Sequence, residues 1–240
     1  SYRFGKAVKG YAVHIEGVDI SSDMLGFFIG FVPRMLDLDI NEDMYKGWFK
    51  AGARKIYLRP NDFHVNTPLP MGFDKHIFSA FKMGVKYGIS ATSYDSLHGF
   101  WDISGLSDYL IARGNVDPSK DYEYWMKEYC SAYGAAAPEV RSYYDYWRVN
   151  IWEKRLWPNR KAISEKGRYG NFRRGLMWDI HKYYSEKDFD FTDGLIKKGL
   201  KKNLNPVQRR HLEQLLLANT HARMTYRAMG AQGKAKARAA

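Results

Sequence analysis

The sequence predicts an α/β fold in which parallel β-α units of a partial TIM-type barrel precede an all-helical C-terminal region. Over about the first 115 residues, short runs rich in Val, Ile, Phe and Tyr alternate with amphipathic stretches. After Asn115 this strand-like signal ends and aromatic residues recur at helical spacing. We therefore divide the chain into a partial barrel, residues 1–116, and a helical region, residues 117–240.

Four segments of the N-terminal region have the composition of strands: Tyr11–Ile15, Phe27–Val32, Lys55–Leu58 and Val85–Ser90. An amphipathic helix is predicted between the second and third strands, with Asn41 as its cap and Gly52 as its terminator. A second helix, ending at Gly84, is predicted between the third and fourth. This β-α-β-α order predicts a parallel sheet with helical crossovers, as in a doubly wound sheet or a barrel.

The C-terminal region is predicted to consist of helices with one irregular interruption. The expected helix starts are Asp117-Pro118, Pro138, Thr192 and Asn205-Pro206. Residues 157–175 contain three glycines and one proline and predict an irregular, basic connection. The last two helices are expected to form a hairpin, and the tail after Gly230 is expected to fray.

The positive charge lies almost entirely in the C-terminal part of the chain. The net charge is 38 − 26 = +12, to which residues 1–147 contribute 16 − 18 = −2 and residues 148–240 contribute 22 − 8 = +14. This asymmetry is compatible with binding to nucleic acid or another anionic polymer. Solvated helix faces explain the same charges, and we favour that interpretation over a nucleic-acid partner.

Polar side chains follow the third and fourth predicted strands, which is where parallel α/β folds place functional groups. Two carboxylates there, Asp62 and Asp95, are the predicted acid/base or nucleophilic residues. Amide, guanidinium and imidazole groups can bind hydroxyls, and an aromatic face can stack on a sugar ring. The predicted substrate-binding residues are Arg59, Asn61, His64, Tyr94, His98 and Trp101.

A structural explanation exists for the same residues. Asp62 or Asp95 can cap a helix or a turn, and Trp101 can be part of the core. Because these residues recur at successive strand ends, we favour the functional interpretation and predict a carbohydrate site.

Other kinds of site have no motif in the sequence. Nucleotide-binding glycine loops, H-E-x-x-H and G-x-S-x-G are missing, and no two histidines lie three to five residues apart. The lone cysteine, Cys130, excludes an internal disulfide, and the longest apolar run is too short to span a membrane. We therefore predict no cofactor, no metal and no membrane span.

Three tracts resemble a known family: RPNDFHVNTPLPMGFDKHIF, YDSLHGFW and DYLIARGNVDPSKDYEYWMKEYCSAYGAAAPEV. They are similar to the C-terminal part of glycoside-hydrolase-like barrel proteins, a family of unknown function in bacteria that degrade complex polysaccharides. The resemblance extends from about Phe27 to Tyr226. Its RPN-type motif includes Arg59, Asn61 and Asp62, and its Y-D-S…W motif includes Asp95, Ser96 and Trp101.

The resemblance implies a barrel whose earlier strands precede this chain, an oligo- or polysaccharide substrate, and a secreted or periplasmic location. The expected function is that of a glycoside-hydrolase-like protein, whole or as a fragment. Two alternatives remain open: a noncatalytic carbohydrate-binding remnant, and a basic helical binder of nucleic acid or an anionic polymer.

Overall fold

The structure is a computed structural model that describes residues 24–27, 38–50, 55–58, 68–92, 101–167 and 172–239. Helices account for most of these residues. The strands within these ranges are β1 (Met24–Phe27), β2 (Lys55–Leu58) and β3 (Ile89–Thr92). The α-helices are α1 (Leu38–Lys50), α2 (Asp74–Lys86), α3 (Trp101–Val116), α4 (Tyr122–Ser131), α5 (Ala137–Tyr146), α6 (Arg160–Lys166), α7 (Phe172–Tyr183), α8 (Glu186–Leu200) and α9 (Pro206–Ala239). A 3₁₀ turn spans Gly134–Ala136, and a π-helix spans Trp147–Leu156.

The predicted fold class is wrong, because the described chain is a predominantly helical protein and not a partial TIM-type barrel. Its strands have four residues each and form one small open sheet in the order β1-β2-β3. The aromatic and β-branched residues that suggested long strands are shared between these short strands and helices. Val85, for example, was expected to begin a strand but belongs to α2.

The strand predictions are correct in part. Lys55–Leu58 is a strand with the expected bounds, and it pairs in parallel with both β1 and β3. The neighbouring strands are displaced along the chain: β1 ends where the expected strand began, at Phe27, and β3 begins only at Ile89. Tyr11–Ile15 and residues 28–32 lie outside the described residues.

One hydrophobic core runs through the helices, from Leu69 before α2 to Ala222 in α9. Large aromatic rings fill its centre. Trp147 packs edge-on against Tyr143 and lies 5.4 Å, between ring centroids, from Phe189 of α8. The α5 helix and the π-helix follow each other without a break, and Trp147 at their junction also packs on Tyr184, which lies between α7 and α8.

The residues just before α2 pack tightly against the start of the π-helix. Gly72 has φ = +72°, and a Cβ atom there would lie 2.2 Å from the carbonyl carbon of Trp147. Only glycine fits both the backbone conformation and the space. The close approach fixes α2, and with it the sheet, relative to the helical core.

Several helix ends differ from those expected. Asp121, not Asp117, caps α4 by accepting a hydrogen bond from the Tyr124 amide, because Asp117 is occupied with Ser119. Ser185, not Thr192, caps α8, where it forms a capping box with Asp188. The start of α5 at Pro138 and the start of α9 after Asn205 are confirmed.

Residues 157–175 are more regular than the sequence suggested. They contain the whole of α6 and the first residues of α7. Gly175 lets these two helices approach closely, since a Cβ there would lie 1.7 Å from the Ile163 carbonyl oxygen. At the end of the chain, α9 continues to Ala239 and includes the tail that was expected to fray.

Candidate binding site at the carboxyl edge of the sheet

The strand register places two predicted site segments next to each other. Leu58, the last residue of β2, pairs with Thr92, the last residue of β3. Neighbouring strands lie about 4.8 Å apart, so Leu58 and Thr92 end their strands at adjacent points of one edge of the sheet. We call this the carboxyl edge.

The side chains predicted for the site lie outside the described part of the structure. Trp101 is the first residue of α3, but its side chain is outside the described part of the structure. The remaining predicted residues also lie outside the described residues: Arg59, Asn61, Asp62, His64, Tyr94, Asp95 and His98.

Two helices follow these segments in the chain: α2 comes after β2, and α3 comes after β3. Between their first turns is a cavity of about 10 Å³, which is room for one water molecule. Leu69–Asp74, Ile103, Ser104, Ser107, Tyr144 and Trp147 line this cavity.

Asp74 is the buried carboxyl group of this region. Its Oδ1 accepts a hydrogen bond of 2.6 Å from the Ser107 hydroxyl, which joins α2 to α3. Burial raises the pKa of Asp74, and the Ser107 hydrogen bond opposes that increase only in part. Asp74 could not be singled out from the sequence, because an aspartate in the first turn of a helix is common.

Asp108, one residue beyond Ser107, is the second carboxyl group. Burial, followed by repulsion from Asp74, raises the pKa of Asp108 to about 6. Its buried Oδ1 accepts no hydrogen bond from any residue in the described ranges. Asp74 and Asp108 are therefore two carboxyl groups on the facing helices α2 and α3 whose pKa values are raised by burial.

Within the described part of the chain, no group of three or more His, Cys, Asp or Glu side chains is arranged to hold a metal ion. Likewise, none of the described helices is long and apolar enough to cross a membrane.

Comparisons of the chain with protein-family models, with curated proteins and with solved structures found no match. The family resemblance noted in the sequence therefore gains no independent support. The description as a TIM-barrel glycoside hydrolase is corrected here, because it depended on a barrel that the predominantly helical chain does not form and no relative points to a hydrolase.

Proposed function

We propose that the chain binds an oligosaccharide, without hydrolysing it, at the carboxyl edge of its small parallel sheet. The pairing of Leu58 with Thr92 carries the proposal. Because of this pairing, two segments begin at neighbouring backbone positions. One contains Arg59, Asn61 and Asp62, and the other contains Asp95.

The chemistry of these two segments suits a polyhydroxylated ligand. Carboxylate and amide oxygens accept hydrogen bonds from sugar hydroxyls, and guanidinium and amide N–H groups donate to them. Trp101 opens α3 directly after the second segment, and an indole ring can cover an apolar sugar face. Binding a sugar in this way requires that the two segments lie next to each other, but it does not require a closed barrel.

Calorimetric titration with a panel of neutral and uronic-acid oligosaccharides tests the proposal. We expect at least one ligand to bind with a Kd in the micromolar to millimolar range and to be recovered uncleaved. Arg59→Ala and Asp62→Asn should each weaken that binding about tenfold, which corresponds to the loss of one charge-assisted hydrogen bond. Asp43→Asn, an exposed carboxylate on α1, is the matched control and should leave the Kd unchanged.

Three results would contradict the proposal. One is a panel in which no sugar binds, and another is binding that Arg59→Ala and Asp62→Asn leave intact. The third is cleavage of the bound oligosaccharide, which would contradict the proposal that the protein binds without hydrolysing. Loss of that cleavage in Asp62→Asn and in Asp95→Asn would then identify these two carboxyl groups as the catalytic pair.

A further inference from the structure

The connection between α8 and α9 gathers six exposed cations into a short segment. Lys197, Lys198, Lys201 and Lys202 lie in the last turn of α8 and just after it, and Arg209 and Arg210 lie in the first turns of α9. We call residues 197–210 the hairpin tip. It contains no Asp or Glu, so its formal charge is +6.

Three of these cations have a structural role. Lys198 and Lys202 both form ion pairs with the buried carboxylate of Glu139, with N···O distances of 3.2 and 3.4 Å. Arg209 donates a hydrogen bond of 3.2 Å to the Leu200 carbonyl oxygen at the end of α8. These contacts hold the tip against α5 and close the end of α8.

The other three cations are not needed for these contacts. Lys197, Lys201 and Arg210 are exposed, and none of them forms an ion pair or side-chain hydrogen bond with another residue in the described ranges. Glu139 contacts two of the six cations and offsets one positive charge, so the tip keeps an excess of positive charge.

An apolar side chain lies between the two groups of cations. Val207 is 61% exposed, and Pro206 beside it is also exposed. The tip therefore combines exposed apolar groups with cations that precede and follow them in the chain.

We propose that the hairpin tip binds the surface of an anionic lipid bilayer. Lipid headgroups attract clustered Lys and Arg side chains, and the interfacial region of a bilayer accepts small apolar groups, so this partner suits both features of the tip. A nucleic acid would use the charges but leave Val207 in water. The tip also has no Phe, Tyr or Trp on which bases could stack.

Vesicle flotation at low salt tests this inference on the whole chain. We expect binding to phosphatidylcholine vesicles that contain about one third phosphatidylserine, and little binding to phosphatidylcholine alone. The triple variant Lys197→Glu, Lys201→Glu, Arg210→Glu keeps the Glu139 ion pairs and should weaken binding by about a hundredfold or more. Val207→Ser should weaken binding to the same vesicles about threefold to fivefold and leave retention on a heparin column unchanged.

The control triple variant is Lys127→Glu, Lys161→Glu, Lys187→Glu, which reverses three exposed lysines on α4, α6 and α8 and changes the net charge equally. It should change vesicle binding by less than about threefold. Equal losses in the two triple variants, or no preference for anionic vesicles, would overturn the proposal. A third result would also overturn it: the protein binds heparin as tightly as it binds vesicles, and Val207→Ser leaves vesicle binding unchanged. That pattern indicates a soluble polyanion as the partner. Oligosaccharide titration of the same variants is independent, because the tip and the carboxyl edge share no residue.

Discussion

Gly72 shows how much one residue contributes to the packing of α2 on the aromatic core. Its positive φ is unfavourable for residues with a Cβ atom, and the neighbouring Trp147 main chain leaves no room for one. We expect Gly72→Ala to lower the free energy of unfolding by about 2–4 kcal/mol, measured by urea denaturation.

Gly194→Ala is the matched control for that substitution. Gly194 lies inside α8, and a Cβ there would meet nothing within 4 Å. Alanine should therefore raise the free energy of unfolding by about 0.5–1 kcal/mol, because it favours the helix. A Gly72→Ala protein as stable as the parent would show that α2 is not seated against Trp147.

Asp108 makes the stability of the protein depend on pH. Its pKa in the folded chain is about 6, above the ordinary value of 3.8, so the unfolded chain releases this proton first. The stabilising effect of the proton is fully present below pH ~4 and is lost as the pH rises towards ~6. At pH 7 the ionised, half-buried carboxylate is therefore a net cost to folding.

Asp108→Asn removes this cost. We expect the variant to be more stable than the parent at pH 7 by about 1–2 kcal/mol, less than the full pKa shift implies because the side chain is partly exposed to solvent. The advantage should disappear below pH ~4. Urea denaturation across this pH range measures it, with the exposed Asp43→Asn as control, and a constant difference at every pH would refute the assignment.

At the scale of elements, Asp188 joins the π-helix to the start of α8. Arg155 donates two hydrogen bonds of 2.7 and 2.8 Å to its carboxylate, and Tyr146 and Ser185 donate further ones. Burial alone would raise the pKa of Asp188, but these hydrogen bonds outweigh burial and hold the pKa below its usual value. The ionised form is therefore the one that stabilises the fold.

Asp188→Asn should lower the free energy of unfolding by about 2–3 kcal/mol at pH 7, because Arg155 keeps its charge and loses its partner. Asp188 stabilises above the ordinary pKa of an aspartate, and this contribution is lost as the pH falls through its lowered pKa. The difference from the parent should therefore shrink on acidification. Asp190→Asn, on the exposed side of the same helix, should cost less than about 0.5 kcal/mol. Equal losses for the two variants would mean that the buried ion pair is not a link between the elements.

The elements that could be predicted from the sequence are those whose signal is local. Lys55–Leu58 has a strand composition that no neighbour overrides, and Pro138 can occupy only the first turn of a helix. The helix caps at Asp121 and Ser185 were missed because Asp117 and Thr192 have equally suitable side chains. Local hydrogen bonds decide between them: Asp117 accepts from Ser119, and Ser185 forms a capping box with Asp188. The π-helix could not be predicted, since π-helices are rare and the apolar spacing of Trp147 and Ile151 suits an ordinary α-helix equally well.

At the scale of the whole molecule, the error in fold class has the same physical origin. A strand of four residues and a helix rich in Val, Phe and Tyr have similar composition, and only their pairing in space distinguishes a barrel from a small sheet beside helices. Of the candidate site, the structure shows the parallel pairing of β2 with β3 that the sequence predicted, and the site residues themselves stay predictions. The raised pKa values of Asp74 and Asp108 could not be predicted, because burial is their largest cause and burial depends on the complete fold.

A single continuous core predicts that helices α2 to α9 unfold together, and Cys130 can report this. It is the only cysteine of the chain, it is buried in α4, and burial raises the pKa of its thiol to about 12. In the folded protein, maleimide labelling at pH 8 should be slower than in urea-unfolded protein by a factor of about a thousand or more. The urea dependence of labelling should follow the same transition as the helical circular dichroism, since α4 belongs to the core that extends to α9.

A variant with Cys130→Ala and Ser131→Cys, which moves the thiol to the exposed neighbouring position, should label at the unfolded rate at every urea concentration. Labelling of Cys130 at urea concentrations that leave the helical signal intact would show instead that α4 opens separately and that the core is divided.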